Sequence, residues 1–185
     1  PKPQNPVDLV AIIMDCQLEF QPILTAENDF AVCNLLKIGD VRILLDCGVS
    51  FAPKFAQKQL NIISKVAKDC DLILLSGSTV MHLGALPFLK DRRIIATSPI
   101  AKLGSQSMYE QVIQLRENPA VISDEEHSEF DFFSLADIEQ AFEQIELVSY
   151  QEVAKIRIRA TGLTLKALPN GSSVGGTCWH IELSG

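Results

Sequence analysis

Asp71-Leu-Ile-Leu-Leu-Ser-Gly-Ser-Thr-Val-Met-His-Leu-Gly-Ala-Leu-Pro-Phe-Leu89 changes character twice along its length. Leu72 to Leu75 is a continuous apolar run, short enough to be a strand buried on both faces. At Ser76 the run breaks into small polar residues, and from His82 the three-residue spacing of Leu83, Leu86 and Leu89 predicts a helix. A strand that ends in a loop and feeds a helix is where α/β folds place their chemistry. The loop from Ser76 to His82 is therefore the first candidate site.

The chain on either side builds an α/β frame. Val7 to Met14 reads as a first strand, and residues 15–28 carry few periodic cues and stay unassigned. Phe30 to Ile38 and Val41 to Asp46, joined by Gly39-Asp40, predict a hairpin. Phe51 to Lys68 predicts an amphipathic helix with Phe55, Leu60, Ile63 and Val66 or Ala67 on one face. Lys54, Lys58, Lys65 and Lys68 lie mostly off that face, as on a solvated helix rather than a nucleic-acid patch. After the central stretch, Arg93 to Thr97 reads as another buried strand. Ser98-Pro99 then opens a helix through Leu103, Met108, Val112 and Leu115, with Pro where its missing N–H does no harm. Hairpin, helix, strand, helix, strand is the start of a sheet covered by helices.

Beyond this point the composition shifts. From Glu110 to Glu146 there are eleven acidic residues against one basic, Arg116. Within it, Asn118 to Asp131 reads as an exposed acidic loop, either a solubilising insertion or a docking loop for a basic partner. Ser134-Leu-Ala-Asp137 predicts a capping box, with Ile138, Phe142 and Ile145 as the apolar face of the helix behind it. Val153 to Arg159 alternates apolar residues with Lys155, Arg157 and Arg159, and Gly162 turns it into Leu163 to Leu168. Pro169-Asn-Gly-Ser-Ser-Val-Gly-Gly-Thr177 is a glycine-rich turn without the pattern of a phosphate-binding loop. Ser172 as a nucleophile would need a base, and nothing in the spacing links it to His180. His82 reads as a polar residue at a helix start, and His127 as a solvated residue of the acidic loop.

With 185 residues and 47% apolar residues, the chain can bury a real core. A net charge of −7 argues against this chain alone being a nucleic-acid-binding surface. Its five Cys residues, at 16, 33, 47, 70 and 178, form no metal-ligand spacing, and a reducing compartment is expected. No apolar run reaches the roughly 20 residues of a membrane span. Pro1 to Pro6 does not read as a signal peptide, so an intracellular, soluble protein without a membrane partner is expected.

The central stretch resembles the signature segment of the metallo-β-lactamase fold in its β-CASP branch of nucleic-acid-processing proteins. There the strand ends in Ser-His-x-His-x-Asp-His, followed by Leu-Gly-Ala-Leu-Pro, and the His and Asp residues bind two zinc ions. Here Ser76 and His82-Leu-Gly-Ala-Leu-Pro87 fix the frame. Gly77 and Thr79 stand where the first two His ligands would be, and Met81 replaces the Asp. Gly77 has no donor, Thr79 is a poor one, and the Met81 thioether suits softer metals. Leu44-Leu-Asp-Cys-Gly48 matches a second motif, whose Asp, here Asp46, supports the ligand loop from behind; a strand-end Asp accepting backbone hydrogen bonds reads the same way. In the glycine-rich turn Gly171 and Gly175-Gly-Thr177 align a third motif, and Ser172 occupies the position of its His ligand. Leu135-Ala-Asp-Ile-Glu-Gln-Ala-Phe142 and Leu147-Val-Ser-Tyr150 follow the family's helix and strand.

The resemblance implies the first half of an αββα sandwich, with residues 1–28 unassigned and 29–185 forming the N-terminal portion of the domain. Two ligand motifs that keep their glycines and lose their donors resemble the inactive β-CASP subunits. The wording, including Gly175-Gly-Thr-Cys-Trp179, resembles that of the pseudonuclease subunit of the cleavage and polyadenylation specificity factor. It implies a nuclear, non-catalytic chain without a catalytic residue, metal or cofactor, and a ligand loop vestigial at Asp46, Gly77, Thr79, Met81, His82 and Ser172. The implied partners are the homologous zinc endonuclease subunit, a symplekin-type scaffold and other polyadenylation factors, with pre-mRNA reached through the complex. Members run on through the rest of the fold, so the chain is expected to be part of a longer protein. An inactive Integrator subunit is the second reading. An active metallo-hydrolase with a substituted site and a generic α/β binding module are the others.

Overall fold

The computed structural model describes residues 9–13, 16–24, 30–50, 53–117 and 133–184. Seven strands form one sheet in chain order: β1 (Leu9–Ile13), β2 (Cys16–Pro22), β3 (Asn34–Ile38), β4 (Val41–Leu45), β5 (Leu72–Leu74), β6 (Ile94–Thr97) and β7 (Ile145–Val148). The first four pair antiparallel and the last four pair parallel, with β4 common to both runs. The predicted hairpin is present, with Gly39 at φ 56° in its two-residue turn, although β3 starts at Asn34 rather than Phe30. β2, in the stretch left unassigned, extends the sheet between β1 and β3.

Helices cover one face of this sheet: α1 (Pro53–Lys68), α2 (Val80–Leu83), α3 (Ser98–Glu117) and α4 (Leu135–Glu143). Leu60, Ile63 and Ala67 of α1 are buried with Ile73, Leu75, Ile94 and Ala96, while Lys58, Lys65 and Lys68 are exposed. The opposite face packs on a second, antiparallel sheet of β8 (Val153–Ile158), β9 (Thr161–Pro169) and β10 (Thr177–Ser184). There Ile43, Leu72, Leu74 and Ile95 meet Ile156, Ile158, Leu163 and Leu165. β5 thus sends alternate residues into two apolar layers, which is why its sequence is apolar throughout. Helix, sheet and sheet are three layers of a mixed α/β sandwich.

Three sequence expectations are corrected. The helix expected from His82 to Leu89 is one α-turn, α2, followed by a 3₁₀ turn at Leu86–Phe88. Pro87 breaks the α pattern, and the three-residue leucine spacing suits the 3₁₀ repeat. Leu103 is 36% exposed, because the inward face of α3 runs through Ile100, Gly104, Met108 and Val112. Gly104 belongs to it since a Cβ there would lie 2.5 Å from Leu83 Cδ2. The β8–β9 turn is Arg159-Ala160, with Arg159 at φ 55°, and Gly162 is already within β9.

The capping box forms as expected: Ser134 Oγ accepts from Asp137 N at 3.2 Å, and Asp137 Oδ2 accepts from Ser134 N at 2.8 Å. Lys155 and Arg157 are exposed and Ile156 and Ile158 buried, as the alternation requires. Residues 118–131 of the acidic segment, with His127, lie outside the described residues, as do residues 1–8.

Candidate functional site

The carboxyl ends of β4, β5 and β6 meet at one end of the first sheet, and the β9–β10 loop reaches over from the second. Asp46 follows β4 in the left-handed region, at φ 60°, a conformation that strains a residue other than glycine. It is held there on every side. Its N–H donates to Leu74 O at 3.0 Å, and its Oδ1 accepts from Ser76 N at 2.7 Å. Its Oδ2 accepts from Ser76 Oγ at 2.5 Å. Asp46 is 3% exposed, and burial pushes its carboxyl up to about 6 against the opposing pull of the two Ser76 hydrogen bonds and nearby His82.

The residues after Asp46 are sewn to α2 by backbone alone. Cys47 N donates to His82 O at 2.7 Å, Ala85 N to Cys47 O at 2.9 Å, and Val49 N to Val80 O at 3.2 Å. Gly48 lies so close that a Cβ would fall 1.6 Å from Met81 O, so only glycine fits. Met81 O itself accepts from Val32 N at 2.7 Å. The carbonyls of Met81 and His82 are thereby spent on structure, and the Met81 side chain is half-buried in α2.

Gly77 and His82 share one space. A Cβ on Gly77 would lie 2.7 Å from His82 Cγ and 2.8 Å from its Nδ1. The imidazole thus fills the volume that a side chain at 77 would enter. Thr79, exposed at the N-cap of α2, has Oγ1 2.9 Å from His82 Nδ1. Gly77, Thr79 and His82 are brought together, with Asp46 behind them.

The glycine-rich turn closes the same end. Thr177 N donates to Ser76 O at 2.9 Å and Trp179 Nε1 to Leu75 O at 3.1 Å, so the second sheet holds the β5 loop by its carbonyls. Gly175, at φ 83°, presses on α3: a Cβ would meet Pro99 Cβ at 2.8 Å. Tyr150 OH donates to Gly176 O at 3.0 Å and Thr97 Oγ1 to Gly175 O at 3.2 Å. Ser172 is exposed, and its N–H and hydroxyl both donate to Asn170 Oδ1, at 2.9 and 2.8 Å. His180 faces Glu182 at 3.6 Å on the outer side of β10. Asn170, Thr97 and Tyr150 went unnoticed in the sequence as organisers of this end. The Asn170-Gly171 dipeptide is the sequence signal that points to Asn170 within that turn.

The cysteines here are core atoms. Cys33, Cys47 and Cys70 are buried and unpaired, and burial pushes the Cys33 thiol up to about 12 and the Cys70 thiol to about 11. Cys178 is exposed. Among the described residues no helix is long and apolar enough to cross a membrane.

Residues 35–184 match the model of the metallo-beta-lactamase superfamily domain. The chain belongs to this superfamily. Its relatives include the probable cleavage and polyadenylation specificity factor subunit 2 of Drosophila melanogaster, 32% identical over 89% of this chain and 21% of that protein. Cleavage and polyadenylation specificity factor subunit 2 of Oryza sativa subsp. japonica is 30% identical over 93% of this chain and 22% of that protein. Cleavage factor two protein 2 of Saccharomyces cerevisiae is 28% identical over 82% of this chain and 18% of that protein. The chain spans about a fifth of the length of these relatives.

Metallo-β-lactamase chemistry calls for zinc, which takes three or four imidazole, thiolate or carboxylate donors. At this end of the sheet Asp46 and His82 are such residues, and Asp46 has both oxygens turned to Ser76. No three His, Cys, Asp or Glu side chains converge among the described residues. These residues do not fit the metal.

Two outcomes test this geometry. Gly77→Ala is expected to destabilise the domain by about 1–3 kcal/mol, as overpacking does, and to be nearly neutral in a His82→Ala background. Chemical unfolding of the four proteins of that cycle measures the coupling. Asp46 binds its proton more tightly folded than unfolded, so its ionisation lowers stability as pH rises from about 4 through about 6. Asp46→Asn removes that component. Across this range the wild type is expected to lose stability relative to the variant, as measured by unfolding at stepped pH.

Proposed function

We propose that this chain is the metallo-β-lactamase portion of a non-catalytic subunit of the nuclear machinery that cleaves and polyadenylates pre-mRNA 3′ ends. The observation that carries the non-catalytic part is the space at Gly77. Where the family motif calls for the first His ligand there is no side chain, and the His82 ring occupies the volume one would need. Thr79 and Met81 supply no strong zinc donor at the next two ligand positions, and Ser172, at the ligand position of the glycine-rich turn, gives its hydroxyl to Asn170. Asp46 keeps the part of a support: it shapes the loop through Ser76.

The place in 3′-end processing rests on the relatives, two of which are named as cleavage and polyadenylation specificity factor subunits and a third as a cleavage factor. By the same reading the subunit pairs with a homologous zinc endonuclease and a symplekin-type scaffold, and meets pre-mRNA as part of the assembly. A domain that keeps its fold while losing its donors suits this role, since a partner surface needs shape and not a metal.

The test is to tag the intact protein in its native cell, purify it gently and identify what accompanies it by mass spectrometry. A zinc endonuclease sibling together with polyadenylation factors is the expected set. Integrator subunits instead would reassign the complex, and a solitary protein that hydrolyses RNA would overturn the proposal.

A further inference from the structure

At the opposite end of the sheet, away from Asp46 and the β5 loop, lies a concavity of about 500 Å³. The β3–β4 turn, the C-terminus of α1, the start of β5 and the β8–β9 turn enclose it. Lys37, Arg42, Lys68, Arg92 and Arg159 line it against three carboxylates, so nearly a third of the chain's 16 basic residues gather at one concavity.

Glu19, outside the lining, holds Lys37 Nζ at 2.9 Å, which leaves four cations facing the three carboxylates. Asp71 is committed, Oδ2 accepting from Arg42 N at 2.9 Å and Oδ1 lying 3.0 Å from Arg159 Nη2. Arg42 reaches Asp69 only at 3.8 Å, and the Asp69 side chain is 73% exposed, a pair of little strength. Arg92 Nη1 donates to Lys68 O at 3.2 Å, which answers the negative pole at the end of α1. Lys68 has no ion-pair partner among the described residues.

We propose that this concavity binds a compact polyphosphate. Its volume falls within the range of small-molecule sites, about 300–1,000 Å³. Guanidinium and ammonium groups converging from four elements match phosphate oxygens, the arginines through their planar donor forks. Among the described residues no aromatic side chain lines it to stack on a base. The chain's net charge of −7 repels a long polyanion that would continue over the rest of the surface. A short, dense anion satisfies both constraints, and a nucleic-acid strand satisfies neither.

The test is calorimetric titration of the intact protein with inorganic tripolyphosphate and, separately, with a single-stranded RNA oligonucleotide. Saturable one-to-one binding of tripolyphosphate is expected. Lys68→Gln should weaken it about tenfold, the worth of one charge-assisted hydrogen bond. Lys102→Gln, on exposed α3 and equal in charge change, should leave it unaltered. Circular dichroism of both variants separates lost binding from lost folding. Absence of saturable binding, equal weakening by the two variants, or binding of RNA alone would each overturn the proposal.

Discussion

The carboxylate of Asp46 is the fastening on which this end of the molecule depends. It sits at the end of one parallel strand and takes both the N–H and the hydroxyl of Ser76, at the end of the next. To do so it adopts a left-handed backbone and gives up its water. The upward push on its pKa is the mark of that desolvation, and the paired donors of Ser76 keep it tolerable. The turn at Asp46 also brings Cys47 and Gly48 against the carbonyls of α2, which fixes where His82 can stand.

Shape and chemistry in this loop therefore rest on different atoms. The shape is held by backbone hydrogen bonds, by glycines that admit close approach, and by one buried carboxylate. Donor atoms of a metal site would come from side chains at 77, 79, 81 and 172, none of which carries the main framework. In the proposed reading their absence leaves the fold standing, and the His82 ring lies in the space beside Gly77. The second sheet secures the arrangement from outside, through Thr177 and Trp179 at this end and the Arg159 guanidinium at the other.

Much of this was legible in the residues. Leu72 to Leu75 announced a strand buried on two faces, Gly39-Asp40 a hairpin, and Ser134 to Asp137 a capping box. β2 carries little signal in the sequence, because only Leu18 and Phe20 alternate over a short run that ends in Pro22. The leucines at 83, 86 and 89 suit an α-helix in the sequence as well as they suit a 3₁₀ turn, since three-residue spacing does not distinguish the two. Gly104 was invisible as a packing position, having no side chain to count. At the site, the frame of glycines and Asp46 could be read from sequence order. The filling of the Gly77 space by His82, and the capture of Ser172 by Asn170, could not, since each depends on a side-chain rotamer that residue order alone does not fix.

The most direct measurement is the metal content of the intact protein, purified from its native cell without chelators and counted by inductively coupled plasma mass spectrometry. A protein whose β5 loop has kept its shape and lost its donors should carry zinc well below one ion per molecule, and added zinc should not raise its melting temperature. Stoichiometric zinc that resists dialysis and stabilises the fold would contradict this.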